Sequence, residues 1–240
     1  MKLGFLLGYS GKHIHIPIEL IQQAESMGYD SVWTAEAYGN DAVTSAAYVL
    51  AQTSKIRVGT AIMQMPARTP AMCAMTAMSL DQLSGGRFIV GLGASGPQVV
   101  EGWHGVPYGK PVTRTKEYIQ IMRKIFEREG PVEFDGQMYQ MPNQSEGTTG
   151  LGKPLKSILA AASDIPIYTA SITPAGLRCA GEVADGVFPV WMDPNKYDVL
   201  GESIKQGFEK AGNGKSLKDF DVAPFVTVAM NDDLDAAYDA

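Results

Sequence analysis

The feature that most constrains this chain is a repeated unit: a short, continuous apolar strand, a loop, then an amphipathic helix. Strands are read at residues 3–7, 31–34, 56–62, 87–92, 165–170, 186–190 and 222–229. Helices are read near 17–27 and 41–53, from after Pro70 to near Leu83, over 114–129, and onward from near Thr173, after Pro194 and near Asp232. Strands that are apolar throughout, rather than alternating, suit a sheet covered by helices on both faces. Strand–helix alternation predicts a parallel sheet. An open doubly wound sheet and a closed barrel both satisfy it. About seven strand–helix units favour the barrel, because one more would close it.

Between the fourth and fifth strands the pattern loosens. A long irregular stretch runs to about Thr113. After the helix at 114–129 comes a hairpin, with strands at 132–134 and 138–141 around an Asp135-Gly136 turn. Residues 143–152, rich in Gly, Ser and Thr, read as a mobile loop. The expected organisation is one barrel domain over 1–240 with an insertion or lid at about 94–164. The seventh helix is only just under way at Ala240. An eighth strand and helix are therefore expected beyond it, or another subunit over the open edge, since unpaired sheet edges invite association.

Composition narrows the function classes. Apolar residues make up 45% and charged residues 19% of the 240 residues, an ordinary balance for a globular protein. No run of about 18 apolar residues reads as a membrane span. The formal net charge of −6 argues against a nucleic-acid partner, which needs clustered Lys and Arg. It leaves room for an anionic small ligand held by local amides. Lys2 and the short apolar run after it read as a first strand rather than a signal peptide, and a cytoplasmic protein is expected. Cys73 and Cys179 stand far apart, without metal-ligand spacing, and read as buried free thiols.

The most specific motif is DQLSGGRFIVGLG at 81–93: a helix end, a Gly-Gly turn, a buried strand and a Gly-x-Gly exit. Gly91 and Gly93 either let the backbone approach a planar ligand at the strand's mouth or simply allow tight packing inside the barrel. Barrel active sites gather at that face. Glu36 ends the second strand there, as a proton relay or as a capping or ion-pairing carboxylate. His104 lies in the long loop after the fourth strand. It reads as a general acid or as a loop residue bonded to backbone, and Glu101 and Tyr108 share that loop and its two readings. His13 and His15, just before the first helix, have no accompanying ligand set, and no metal is expected. Met63, Met65, Met72, Met75 and Met78, around the third helix, read as core packing.

Four stretches resemble, in order, the luciferase-like monooxygenase superfamily and in particular its coenzyme F420-dependent branch. They are YDSVWTAE at 29–36, KIRVGTAI at 55–62, LSGGRFIVGLG at 83–93, and IPIYTAS at 165–171 with AGEVADG at 180–186. GPQVVEGWHGVPY at 96–108 is similar to a subgroup of that branch. The resemblance implies a (β/α)8 TIM barrel of the bacterial-luciferase type, incomplete here. It implies an F420-dependent oxidoreductase that moves hydride between the deazaflavin and a small organic substrate, working as a homodimer; the family's dimer surface commonly lies on the second and third helices, which gives the methionines there a second reading as a subunit interface. An FMN-dependent monooxygenase and a shortened, non-catalytic flavin-binding protein are the alternatives.

By the same resemblance the ring lies against Thr60, Ala61 and Ile62 and against Gly93, Ala94 and Ser95. The cofactor phosphate falls near Ala170, Ser171, Ile172 and Thr173, where Ser171 and Thr173 equally suit plain helix capping. A non-proline cis peptide is expected between Ala61 and Ile62, backing the ring. Several relatives carry histidine directly after the acidic position of Glu36; here that residue is Ala37.

Overall fold

The structure, a computed structural model, describes residues 2–8, 11–190 and 192–238. The chain opens with β1 (Gly4–Leu6), α1 (Ile18–Ser26), β2 (Ser31–Thr34), α2 (Ala42–Gln52), β3 (Arg57–Thr60) and β4 (Met63–Gln64). It continues through α3 (Pro70–Ser84), β5 (Phe88–Gly93), α4 (Pro97–Gly102), α5 (Pro111–Glu127) and the strand pair β6 (Phe134–Asp135) and β7 (Gln140–Met141). The last elements are β8 (Ile167–Ala170), α6 (Pro174–Val183), β9 (Gly186–Phe188), α7 (Tyr197–Ala211), β10 (Asp221–Val222) and α8 (Leu234–Tyr238). No helix among the described residues is long and apolar enough to cross a membrane.

Local chemistry sets the helix ends. The Asp41 carboxylate accepts from Val43 N at 2.9 Å and Thr44 N at 3.1 Å, and so caps α2. Thr69 caps α3 with Pro70 in the first turn, and Gly85 closes that helix at φ 68°, a left-handed conformation that suits glycine.

Strands pair in parallel in the order β1-β2-β3-β5-β8-β9-β10, with β4 beside β5. The sheet curls. Trp33 of β2 and Phe188 of β9 stand four strands apart in this order, about 19 Å on a flat sheet. Their ring centroids are 5.0 Å apart. The inner core is therefore a barrel interior of Trp33, Ala61, Ile89, Tyr168 and Phe188. A larger outer core packs alternate strand residues such as Val32, Val58 and Val90 against α2, α3 and α5. Together these give a parallel half-barrel wrapped by helices, as expected from the sequence, with β1 and β10 as the outer strands.

Several boundaries differ from the sequence reading. The strand read at 56–62 breaks after Thr60 and resumes as β4, and the bond between Ala61 and Ile62 is cis, as expected. The irregular stretch after β5 contains α4, opened by Pro97. Helix α5 begins at Pro111 rather than 114, because proline suits a first helical turn. The hairpin pairs Phe134 with Met141 and Asp135 with Gln140, so its turn spans 136–139 rather than Asp135-Gly136. Glu117 of α5 holds that turn by accepting from the amides of Gln137, Met138 and Tyr139 at 2.8–3.1 Å. The strands read at 186–190 and 222–229 stop at Phe188 and Val222. Ala223 N still donates to Val187 O at 2.9 Å, but Pro189 and Pro224 have no N–H to extend either ladder.

Candidate active site at the carboxyl ends of the strands

The segments read as a ring bed and a phosphate site come from neighbouring strands. β3 lies beside β5 and β5 beside β8, so residues 60–62, 93–95 and 170–173 all emerge at one end of the sheet. Thr60 is fully buried. Its hydroxyl donates to Gly91 O and accepts from Gly91 N, each at 2.9 Å, which engages it within the sheet. Ala61 is buried, while Ile62 and Ala94 are half-buried. Ser95 has φ 59°, and its carbonyl accepts from the Tyr108 hydroxyl at 3.3 Å.

The two exit glycines are explained by the protein itself. A Cβ on Gly91 would stand 1.7 Å from Thr60 O, and one on Gly93 would stand 2.6 Å from Ile62 Cδ1. Of the two readings of the Gly-x-Gly motif, tight packing accounts for Gly91 outright. At Gly93 the missing side chain lets Ile62 lie across the strand end.

At β8 the chain leaves Ala170 and enters α6 through Thr173. Thr173 Oγ1 accepts from Gly176 N at 3.1 Å and caps the helix. A Cβ on Gly176 would meet Ser171 Oγ at 3.1 Å and Thr173 Oγ1 at 3.2 Å, so glycine keeps the hydroxyl pair uncovered. Ile172 is 58% exposed beside them. A phosphate-sized group fits this helix opening: two hydroxyls, a helix N-terminus and no side chain between.

Glu36 and His104 are joined through a residue the sequence reading passed over. Glu36 is buried and accepts four hydrogen bonds. Oε1 takes Gln64 N at 2.7 Å and Arg68 Nη1 at 2.5 Å; Oε2 takes Ala42 N and Arg68 Nη2, both at 2.9 Å. Arg68 also reaches Asp41 at 3.1 Å. Burial pulls the Arg68 guanidinium down, and Glu36 more than reverses this, holding it above its ordinary value. Gln64, 2% exposed, donates from Nε2 to Ala37 O at 2.5 Å, and its Oε1 lies 3.1 Å from Nε2 of half-buried His104. A polar residue between Met63 and Met65, in an otherwise core-like run, is the signal that marks Gln64.

The other loop candidates are placed elsewhere. The Glu101 carboxylate accepts from Tyr108 N at 3.1 Å and staples its own loop. His13 and His15 are exposed ahead of α1. Met63, Met65 and Met78 are buried in the core, whereas Met72 and Met75 are more than half exposed on α3. The core reading thus holds for the first three of these methionines.

The luciferase-like monooxygenase family model matches residues 4–240 of this chain. The chain belongs to this family. Within the family it is 45% identical, over 99% of its own length and 69% of the relative's, to a Mycobacterium tuberculosis protein named as a coenzyme F420-dependent oxidoreductase. It is 34% identical to the 5,10-methylenetetrahydromethanopterin reductase of Methanolobus tindarius, over 90% of this chain and 62% of that one. Among solved structures, the coenzyme F420-dependent tetrahydromethanopterin reductase of Methanopyrus kandleri superposes with a TM-score of 0.82 at 26% identity. That match covers 98% of this chain and 68% of the reductase. The chain therefore spans about two thirds of the length of the family members it matches.

Proposed function

We propose that this protein is an F420-dependent oxidoreductase that carries its cofactor across the carboxyl ends of β3, β5 and β8. The observation that supports this best is the convergence of residues 60–62, 93–95 and 170–173 at one end of adjacent strands. The uncovered Ser171 and Thr173 hydroxyls stand at the α6 end of that bed. The F420 dependence named for the 45% identical relative supports the choice of deazaflavin.

Bound F420 supplies the hydride carrier. In this reading Ala61, Ile62, Gly93, Ala94 and Ser95 form the floor under the ring, with Ile62 as its one bulky contact and small residues elsewhere that let it lie close. Ser171 and Thr173, with the amides opening α6, hold the phosphate. Glu36 anchors Arg68, Gln64 and the start of α2, and His104 exchanges the proton that accompanies hydride transfer. The substrate is a small organic molecule seated above the ring, and the reaction takes place in the cytoplasm.

Titration of the protein with F420 and with FMN, followed by fluorescence, tests the reading. F420 is expected to bind the more tightly. Micromolar FMN binding with none for F420 would overturn the assignment in favour of the monooxygenase branch.

A homodimer accompanies the proposal. Tyr48 on α2 and Met72 and Met75 on α3 are each more than half exposed. Beside Met75 lies an apolar cavity of about 740 Å³ lined by Ile125, Val132, Met141 and Leu155. A second copy of the chain covers this face, and light scattering should give twice the protomer mass.

A further inference from the structure

Gln64 has one orientation that its surroundings accept. The carbonyl of Ala37 can only accept, and the Gln64 amide atom 2.5 Å from it must therefore be the nitrogen. Turning the amide over would set two oxygens against each other at that distance. With Nε2 committed to Ala37, Oε1 faces His104 and can only accept as well. The His104 ring nitrogen 3.1 Å away must then carry a hydrogen in either protonation state. The amide has no freedom to adjust. Gln64 is 2% exposed, its backbone N–H is held by Glu36 at 2.7 Å, and β4 is paired to β5.

We infer that Gln64 is a positioning residue that holds His104 as its Nε2–H tautomer and leaves Nδ1 as the ring atom that exchanges a proton. The inference rests on the proposed role of His104 and names the atom that performs it. In the reducing direction the imidazolium gives its Nδ1 proton to the substrate atom left electron-rich by the arriving hydride. It becomes the neutral ring with Nε2–H retained, and a proton from water restores it. Neither transfer disturbs the bond to Gln64, so the ring starts and finishes each cycle in one orientation. The chain Glu36–Gln64–His104 thereby turns a carboxylate that is saturated with donors into a rigid mount for a loop histidine.

The test is nitrogen NMR on the protein labelled with 15N at histidine, at a pH above the ordinary histidine range of about 6.5. The His104 resonances are assigned by their loss in His104→Gln. The native protein should show a one-bond N–H cross-peak at Nε2 of His104, protected from exchange with water, and none at Nδ1. Gln64→Met, close in volume but without an acceptor, should speed exchange of that proton about tenfold or more, or lose the peak. A native cross-peak at Nδ1 overturns the inference whatever the variants do, and so does unchanged protection in Gln64→Met. Failure of the cofactor reading is seen separately: without F420 binding in the fluorescence titration that reading falls, while the tautomer result stands on its own.

Discussion

At the scale of single residues, Glu36 shows how a side chain can sit where catalytic groups gather and yet be fully occupied. Its two oxygens accept from two backbone amides and both terminal nitrogens of Arg68. Glu36→Gln keeps the shape, removes the charge and turns an NH2 group toward donors. It also leaves Arg68 with only Asp41, whose side chain is 43% exposed. Breaking one side of a buried ion pair is strongly destabilising, because the remaining charge stays desolvated. We expect Glu36→Gln to lower unfolding stability by about 2–3 kcal/mol in urea melts; a change within about 0.5 kcal/mol, the range of ordinary surface substitutions, would contradict this account. Thr173 separates two roles in a similar way. Thr173→Ala removes the α6 cap and should lower stability by about 1 kcal/mol. If the hydroxyl also holds the phosphate, F420 affinity should fall about tenfold, the worth of one charge-assisted hydrogen bond. Native affinity in a measurably destabilised variant would leave Thr173 a cap alone.

At the scale of elements, the most specific motif proves to be scaffold as much as site. Asp81, fully buried at the end of α3, accepts from the amides of Ala162 and Ser163 and from the Ser163 hydroxyl, tying down the approach to β8. Arg87 donates to Leu50 O, Thr53 O and Ile56 O, collecting carbonyls at the end of α2 and the approach to β3. The motif can be read from the sequence because these contacts need particular residues at fixed offsets. The strand–helix order is readable for the same kind of reason: the central strands β2, β3, β5 and β8 are buried and largely apolar, and α2, α3 and α6 each open at a capping side chain. What stays hidden is non-local. Gln64 meets His104 across forty positions, and nothing in the local pattern of either foretells the pairing. Strand ends at Phe188 and Val222 depended on prolines, which the apolar run itself masks. Gly91 carries a test at this scale. A methyl group there would stand 1.7 Å from Thr60 O and force β3 and β5 apart. Gly91→Ala should lower stability by about 3 kcal/mol or more, or yield no folded protein. Gly102→Ala at the end of α4, where a Cβ meets nothing within 4 Å, should leave the melting curve unchanged and serves as the control.

At the scale of the whole molecule, three carboxylates join parts of the half-barrel that lie far apart in sequence. Glu25 of α1 accepts from the amides of Ser54, Lys55 and Ile56 at 2.6–2.9 Å. Glu182 of α6 meets Lys116 of α5 at 2.6 Å and Lys210 of α7 at 3.0 Å. Asp221 of β10 takes Lys2, just ahead of β1, at 2.9 Å, and the hydroxyl of Tyr168 inside the barrel. In each case burial pushes the carboxyl up and these donors more than reverse it, so each sits below the usual carboxylate range. A carboxyl whose folded value lies below its unfolded one stabilises the fold in full above the unfolded value of about 4. That contribution is lost as pH falls through the folded value, because the unfolded chain then binds protons the folded chain refuses. The melting temperature should therefore be level between about pH 6 and 8 as far as these carboxylates are concerned, and should fall steeply below about pH 4. Glu182→Gln isolates one link: it should melt earlier than the native protein at pH 7, and the gap should narrow at pH 3, below the unfolded carboxylate value of about 4. If instead the gap between the two proteins is the same at both pH values, the link between α5, α6 and α7 works through packing rather than charge.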